Sequence, residues 1–301
     1  MPQNLSRREI LLASGAAWLG AGSLSRGLGQ TQKSTKKVLF FTKSSGFPHP
    51  VVNGRNGPGL AERILSEIGK EHGFEVVVSK DGRLFDPDQI GQWDAFVFYT
   101  TGNLSVPGGD KNPPISADGE KAFYDAITAG KGFIGIHSAT DTFGHHAPRN
   151  KGGEDPYIKL IGGEFYSHGP QQEVTIEVTD PHFPGMEKGS GESKEFKIKD
   201  EWYALKNLPD DLHVIMVQVT KGMQGWEYQR PSYPMTWARP YGKGRVFYTS
   251  MGHREDMWEN PKYQGLLLGA LAWTTGRVEA SIEPNVKEVT PHYTELPRRV
   301  R

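Results

Sequence analysis

The feature that most constrains this chain is an alternation of short apolar runs with helix-like segments. The apolar runs end in small, polar or ionisable residues. Val38-Leu39-Phe40-Phe41-Thr42 reads as a buried strand, and Lys43-Ser44-Ser45-Gly46 turns the chain out of it. Leu60 to His72 carries Leu60, Ile64, Leu65 and Ile68 at helical spacing and closes on Gly73. Phe74 to Ser79 is a second strand, and Trp93 to Tyr99 a third that ends at Thr100-Thr101-Gly102. Ser116 caps a helix that Gly130 terminates, and Gly132-Phe133-Ile134-Gly135-Ile136 then delivers His137. Such alternation predicts right-handed βαβ units and a doubly wound, mainly parallel α/β sheet covered by helices on both faces. In such sheets ligands bind beyond the carboxyl ends of the strands. Ser45, Thr101, His137 and Ser138 all fall there and become candidate site residues.

The second half has a different rhythm. Glu173 to Val178 alternates polar and apolar residues, Leu212 to Val219 is apolar, and Met235 to Ser250 reads as a hairpin turning at Tyr241-Gly242-Lys243-Gly244. These predict an antiparallel extension, with a helix over Pro261 to Thr274 packing back on the sheet. Residues 37–278 read as one domain, and the Pro- and charge-rich residues 279–301 as an extended tail.

Composition narrows the chemistry. Of 301 residues, 35 are basic and 35 acidic, with no long basic run, so nucleic acid is not an expected partner. There is no cysteine, which removes disulfides, thiolate metal sites and a cysteine nucleophile. Any metal must be held by imidazole and carboxylate. No glycine-rich phosphate loop follows a strand, so no nucleotide cofactor is expected.

Ser6-Arg7-Arg8-Glu9-Ile10-Leu11-Leu12 is a twin-arginine pattern, followed by a Gly- and Ala-rich stretch too weakly apolar for a stable membrane span. Residues 1–29 therefore read as an export signal and 30–36 as a linker, which predicts a periplasmic or otherwise exported protein.

Histidine is the most informative residue type. In Gly135-Ile136-His137-Ser138-Ala139 an imidazole stands where many α/β enzymes place a nucleophile, fit to act as base or metal ligand near neutral pH. The bland alternative is a histidine bonded to backbone carbonyls at a buried turn. Asp141 follows as a candidate orienting or substrate-binding acid. His145, His146 and His168 lie in Gly- or Pro-rich loops, where a lone histidine is usually silent. His49 and His253, like His137, follow proposed core strands, so the fold brings all three to one edge. His49, His168 and His253 are the expected ligands of a divalent metal such as zinc. Asp200-Glu201-Trp202-Tyr203 sets two acids beside two aromatic rings, and adjacent strand residues point to opposite faces. One reading gives Glu201 acid/base work and makes Trp202 and Tyr203 a sugar-binding surface; the other is an edge strand with a packed tryptophan.

These segments resemble the ThuA-like (trehalose-utilisation) family. The resemblance runs in order through Val38 to His49, Gly135 to Phe143, Leu160 to Phe165, Ser167-His168, Asp200 to Tyr203 and Tyr241 to His253. It implies a class I glutamine-amidotransferase-like, flavodoxin-like fold and a role in carbohydrate metabolism on trehalose, a related glycoside or a keto-sugar. The amidotransferase cysteine would fall near His137, and its absence argues against glutamine hydrolysis. Relatives commonly carry Arg-His-Asp in the first loop, whereas here His49 stands between Pro48 and Pro50. Two functions are expected from this: a sugar-modifying enzyme with His137, Asp141 and Glu201 as catalytic residues, or a non-catalytic carbohydrate-binding accessory to a sugar oxidoreductase. The expected ligand is a small carbohydrate, and the chain leaves room for a homo-oligomer.

Overall fold

The computed structural model describes residues 35–54, 57–143, 154–186 and 194–297. The expected export signal, residues 30–34 of the expected linker, His145 and His146 lie outside the described residues. The described elements belong to one compact unit, Thr35–Arg301. Their backbone is a nine-stranded sheet in the order β2-β1-β3-β4-β11-β10-β9-β6-β7. β1 (Lys36–Phe41), β2 (Phe74–Ser79), β3 (Ala95–Phe98), β4 (Gly132–Ile136) and β11 (Gly244–Thr249) run parallel. β10 (Tyr233–Tyr241), β9 (His213–Gln218), β6 (Gln172–Val178) and β7 (Glu195–Asp200) extend the sheet antiparallel.

Helices cover both faces, as a parallel sheet requires. α1 (Leu60–Glu71) and α5 (Pro261–Thr274) bury their apolar residues in one core with Val38, Phe40 and Ile134. α2 (Ala117–Thr128) and α3 (Pro156–Ile161) build the other with Leu39, Phe41 and Phe133. Alternate residues of one strand thus feed opposite cores, each fully buried side chain contributing roughly 1.5–3 kcal/mol. The helix starts match their caps. The Ser116 hydroxyl accepts from Gly119 N at 2.9 Å, and Asn260 caps α5 ahead of Pro261.

Three features differ from the expectation drawn from the sequence. A separate two-stranded sheet, β5 (Glu164–His168) with β8 (Tyr203–Lys206), stands beside the main one. Asp200-Glu201-Trp202-Tyr203 is therefore not one strand: Asp200 ends β7, Tyr203 begins β8, and Glu201 and Trp202 form the step between sheets. The tail is not simply extended. Asn285 bonds Leu212 O and both backbone groups of Val214, α6 (Val286–Val289) follows, and Val286 and Tyr293 are buried. These two apolar residues, spaced among charged ones, anchor the tail.

Candidate functional site

The parallel register brings the ends of β1, β4 and β11 to one edge, and a histidine stands beyond each. His49 precedes a short turn, Pro50–Val52, whose proline is pre-set for a helical start and whose Val51 and Val52 are buried. A partly buried network holds this loop. Lys80 Nζ bonds Val52 O at 2.9 Å and Glu62 Oε1 at 2.6 Å, while Glu62 Oε2 accepts from Gly59 N at 2.7 Å. His137 leaves β4 with φ of +44°, a left-handed conformation that costs energy in a non-glycine residue. Its carbonyl accepts from the Tyr248 hydroxyl at 2.9 Å. Before His253, Gly252 has φ of +120°, and a Cβ there would lie 2.6 Å from the Tyr263 hydroxyl.

Glu201 completes the group. One ligand atom from each of His49, His137, Glu201 and His253 lies within 4.8 Å of all the others. The three imidazole centroids form a triangle with sides of 5.2 Å. His137 Nδ1 donates to Ser250 O at 2.8 Å, which turns the Nε2 lone pair into the site. That Nε2 lies 3.3 Å from His253 Nδ1 and 3.5 Å from Glu201 Oε2, and His253 Nδ1 lies 3.1 Å from the same oxygen. A tetrahedron with metal–ligand arms of about 2.05 Å has edges of about 3.3 Å, so these three atoms span one face of it. Among the described residues, nothing hydrogen-bonds the buried His49 Nδ1. Convergent acceptors around an orphaned nitrogen fit a shared cation.

The electrostatics agree. Burial, then the imidazoles of His137 and His253, pushes His49 down to about 2, so it stays neutral and able to ligate. Burial works to raise Glu201, but hydrogen bonds and charge from His137 and His253 when those rings are protonated outweigh it and hold the carboxylate well below its usual range. Asp141 is pushed up to about 7 by burial and then by the charge of Glu164. Asp200 is fully buried; burial raises its carboxyl against His137 and against backbone N–H bonds.

A family model described as trehalose utilisation (ThuA) matches residues 37–274. The chain belongs to the ThuA trehalose-utilisation family. Membership ties it, at family level, to carbohydrate metabolism related to trehalose use. A ThuA-like protein from Bacteroides uniformis is 19% identical, covers 80% of this chain and 92% of its own, and superposes with a TM-score of 0.55. One from Parabacteroides merdae is 17% identical over 88% of this chain and 98% of its own, with a TM-score of 0.59. At these identities the likeness concerns the fold. The chain has no significant match among curated proteins.

Against this ThuA fold, several residues expected at the site take other places. Glu201, expected as an acid/base, joins the imidazole cluster, as does His137. His168, expected as a ligand, stands one step outside with Nδ1 3.6 Å from Glu201 Oε1, and its side chain is 45% exposed. Asp141 does not orient His137, because Ser250 O does. Trp202 is fully buried and its Nε1 donates to Gln172 O at 2.8 Å; the packed-tryptophan reading holds, and the ring offers no sugar surface. Tyr203 is buried 4.2 Å from the His137 ring and forms a wall of the site. Ser138 is fully buried rather than facing a substrate. Ser45 and Thr101 act as framework: Ser45 N donates to Thr101 O at 2.9 Å, and Thr101 Oγ1 donates to Phe47 O at 2.9 Å. Sequence reasoning missed Phe47, whose 62% exposed ring meets His49 edge-on at 5.0 Å. A phenylalanine inside a Gly-Phe-Pro-His loop, where no strand or helix period would bury it, was the available signal.

Proposed function

We propose that this protein is a sugar-modifying enzyme in which His49, His137, His253 and Glu201 hold a divalent cation such as zinc. The single observation that supports this most is the convergence of three ring nitrogens and one carboxylate oxygen within 4.8 Å. A cation bound there would polarise a carbonyl or hydroxyl oxygen of the substrate. The remaining roles belong to the chain. Asp141, pushed up to about 7, can hold a proton near neutrality and serve as the acid. Exposed His168 connects Glu201 to solvent. The exposed Phe47 ring beside His49 offers an apolar face to a sugar ring, the part first assigned to Trp202. Catalysis by glutamine hydrolysis is not part of this reading, since the chain has no cysteine.

Zinc analysis of the purified protein, with trehalose as the probe sugar, tests the proposal. One zinc per chain is expected, falling well below that in His253→Ala and Glu201→Gln, with mass-spectrometric turnover of trehalose or its keto derivative lost alongside. Zinc retained in both variants would sink the metal assignment. Thermal stabilisation by trehalose without any product would favour a non-catalytic carbohydrate-binding protein instead. We further infer, from Ser6-Arg7-Arg8, that the chain is exported through the twin-arginine route.

A further inference from the structure

Three of the four clustered residues, His49, Glu201 and His253, sit in segments with no regular secondary structure of their own. Glu201 lies in the step from β7 to β8, and His253 in the loop between β11 and α4 (Glu255–Trp258). One fully buried carboxylate ties the Glu201 and His253 segments together. Asp200 Oδ1 accepts from Glu201 N at 2.9 Å and from Arg254 N at 3.0 Å, and Oδ2 accepts from Gly252 N at 2.7 Å. The bonded amides are that of Glu201 itself and those on either side of His253. Resting on the metal reading above, we propose that Asp200 is a positioning residue that sets the Glu201–His253 separation and so the geometry of the cation site.

The physical reason is that hydrogen bonds from N–H groups to a charged oxygen are short and directional. A carboxylate taking three of them fixes both segments against one point. The two anchored groups, Glu201 Oε2 and His253 Nδ1, lie 3.1 Å apart, and metal sites tolerate only about 0.5 Å of drift before affinity suffers. The fold does not depend on Asp200 alone. Gly252 O also accepts from Trp258 Nε1 at 2.8 Å and from the Tyr99 hydroxyl at 3.1 Å, so the loop stays attached without the carboxylate. Loss of Asp200 should therefore loosen the site before it unfolds the protein.

The test compares full-length wild type, Asp200→Asn and Asp200→Ala for zinc affinity, by chelator competition, and for the visible spectrum of the cobalt-loaded protein. Tyr293→Phe, which removes a tail hydrogen bond to Asp210, serves as a control for lost stability. Zinc affinity should fall on the order of 10- to 100-fold in Asp200→Ala and less in Asp200→Asn, which keeps one acceptor oxygen. The cobalt spectrum should change in both and stay unaltered in Tyr293→Phe. If Asp200→Ala does not fold, Asp200→Asn carries the comparison. Wild-type affinity and spectrum in the folded Asp200 variants would overturn the positioning role while leaving the metal site standing. A wild-type protein that binds neither zinc nor cobalt would overturn the metal reading, and the positioning role with it.

Discussion

His137 is held in a left-handed conformation by bonds at both ends: its Nδ1 to Ser250 O at 2.8 Å and the Tyr248 hydroxyl to its carbonyl at 2.9 Å. Its place at the end of an apolar strand was legible in the sequence. The carbonyl that chooses its tautomer was not, because Ser250 is 113 residues away in the chain. Asp141 supports a prediction at the same scale. Its carboxyl rises from an ordinary 3.8 to about 7, with burial the larger cause and Glu164 the second. A raised folded value means that the folded state binds the proton more tightly than the unfolded chain does. Stability from this group is therefore greatest in acid and declines as pH climbs from about 4 to about 7. Asp141→Asn removes the ionisation, so its melting temperature relative to wild type should improve between pH 5 and pH 8. An offset that does not change with pH would contradict the assignment. If Asp141 is the acid of the reaction, wild-type activity should also fall above about pH 7, and that limb should vanish in the variant.

Elements with a clear period were legible: the strands and helices of the parallel half follow the apolar spacing to within a few residues. The break between β7 and β8 was not. Alternation in Asp200-Glu201-Trp202-Tyr203 suits one strand equally well; the bonds of Asp200 to the distant Gly252 and Arg254, and the pairing of β8 with β5, hold the step outside the main sheet. The tail was likewise hidden, since its docking combines Asn285 pairing with β9 and the isolated buried residues Val286 and Tyr293, which follow no period of their own. His213 clasps that junction, with Nδ1 2.8 Å from Glu283 O and Nε2 3.0 Å from Asp180 Oδ2. Burial opposes protonation of His213, but Asp180 and the Glu283 carbonyl prevail and raise it above 6.5. Burial likewise opposes ionisation of Asp180, and bonds from His213 and His182 hold it below 3.8. The His213 contribution is complete below pH 6.5 and fades as pH rises through the folded value; that of Asp180 is complete above 3.8 and fades as pH falls through its own. His213→Gln should thus lower the melting temperature most near about pH 6 and least near about pH 9, with faster amide exchange around Asn285. Equal loss at both pH values would show that the charge plays no part.

For the whole molecule, the export proposed above rests on the N-terminal sequence and not on the fold. Replacing both Arg7 and Arg8 by lysine should retain a tagged protein inside the cell, and unchanged secretion would remove the twin-arginine reading. No described helix is long and apolar enough to cross a membrane. By itself the sequence determined the doubly wound plan, because alternating strand and helix periods allow few other ways to bury two apolar faces. It also determined that His49, His137 and His253 share one edge, because parallel strands put their carboxyl ends together. Only the tertiary structure decided that Glu201 rather than His168 closes the cluster, that Trp202 turns inward, and that Phe47 faces solvent. Those outcomes depend on contacts between segments far apart in the chain, such as Trp202 with Gln172 and Asp200 with Gly252, and no local period encodes them. The strand ends fix where chemistry can occur, while the long-range hydrogen bonds select which side chains meet there.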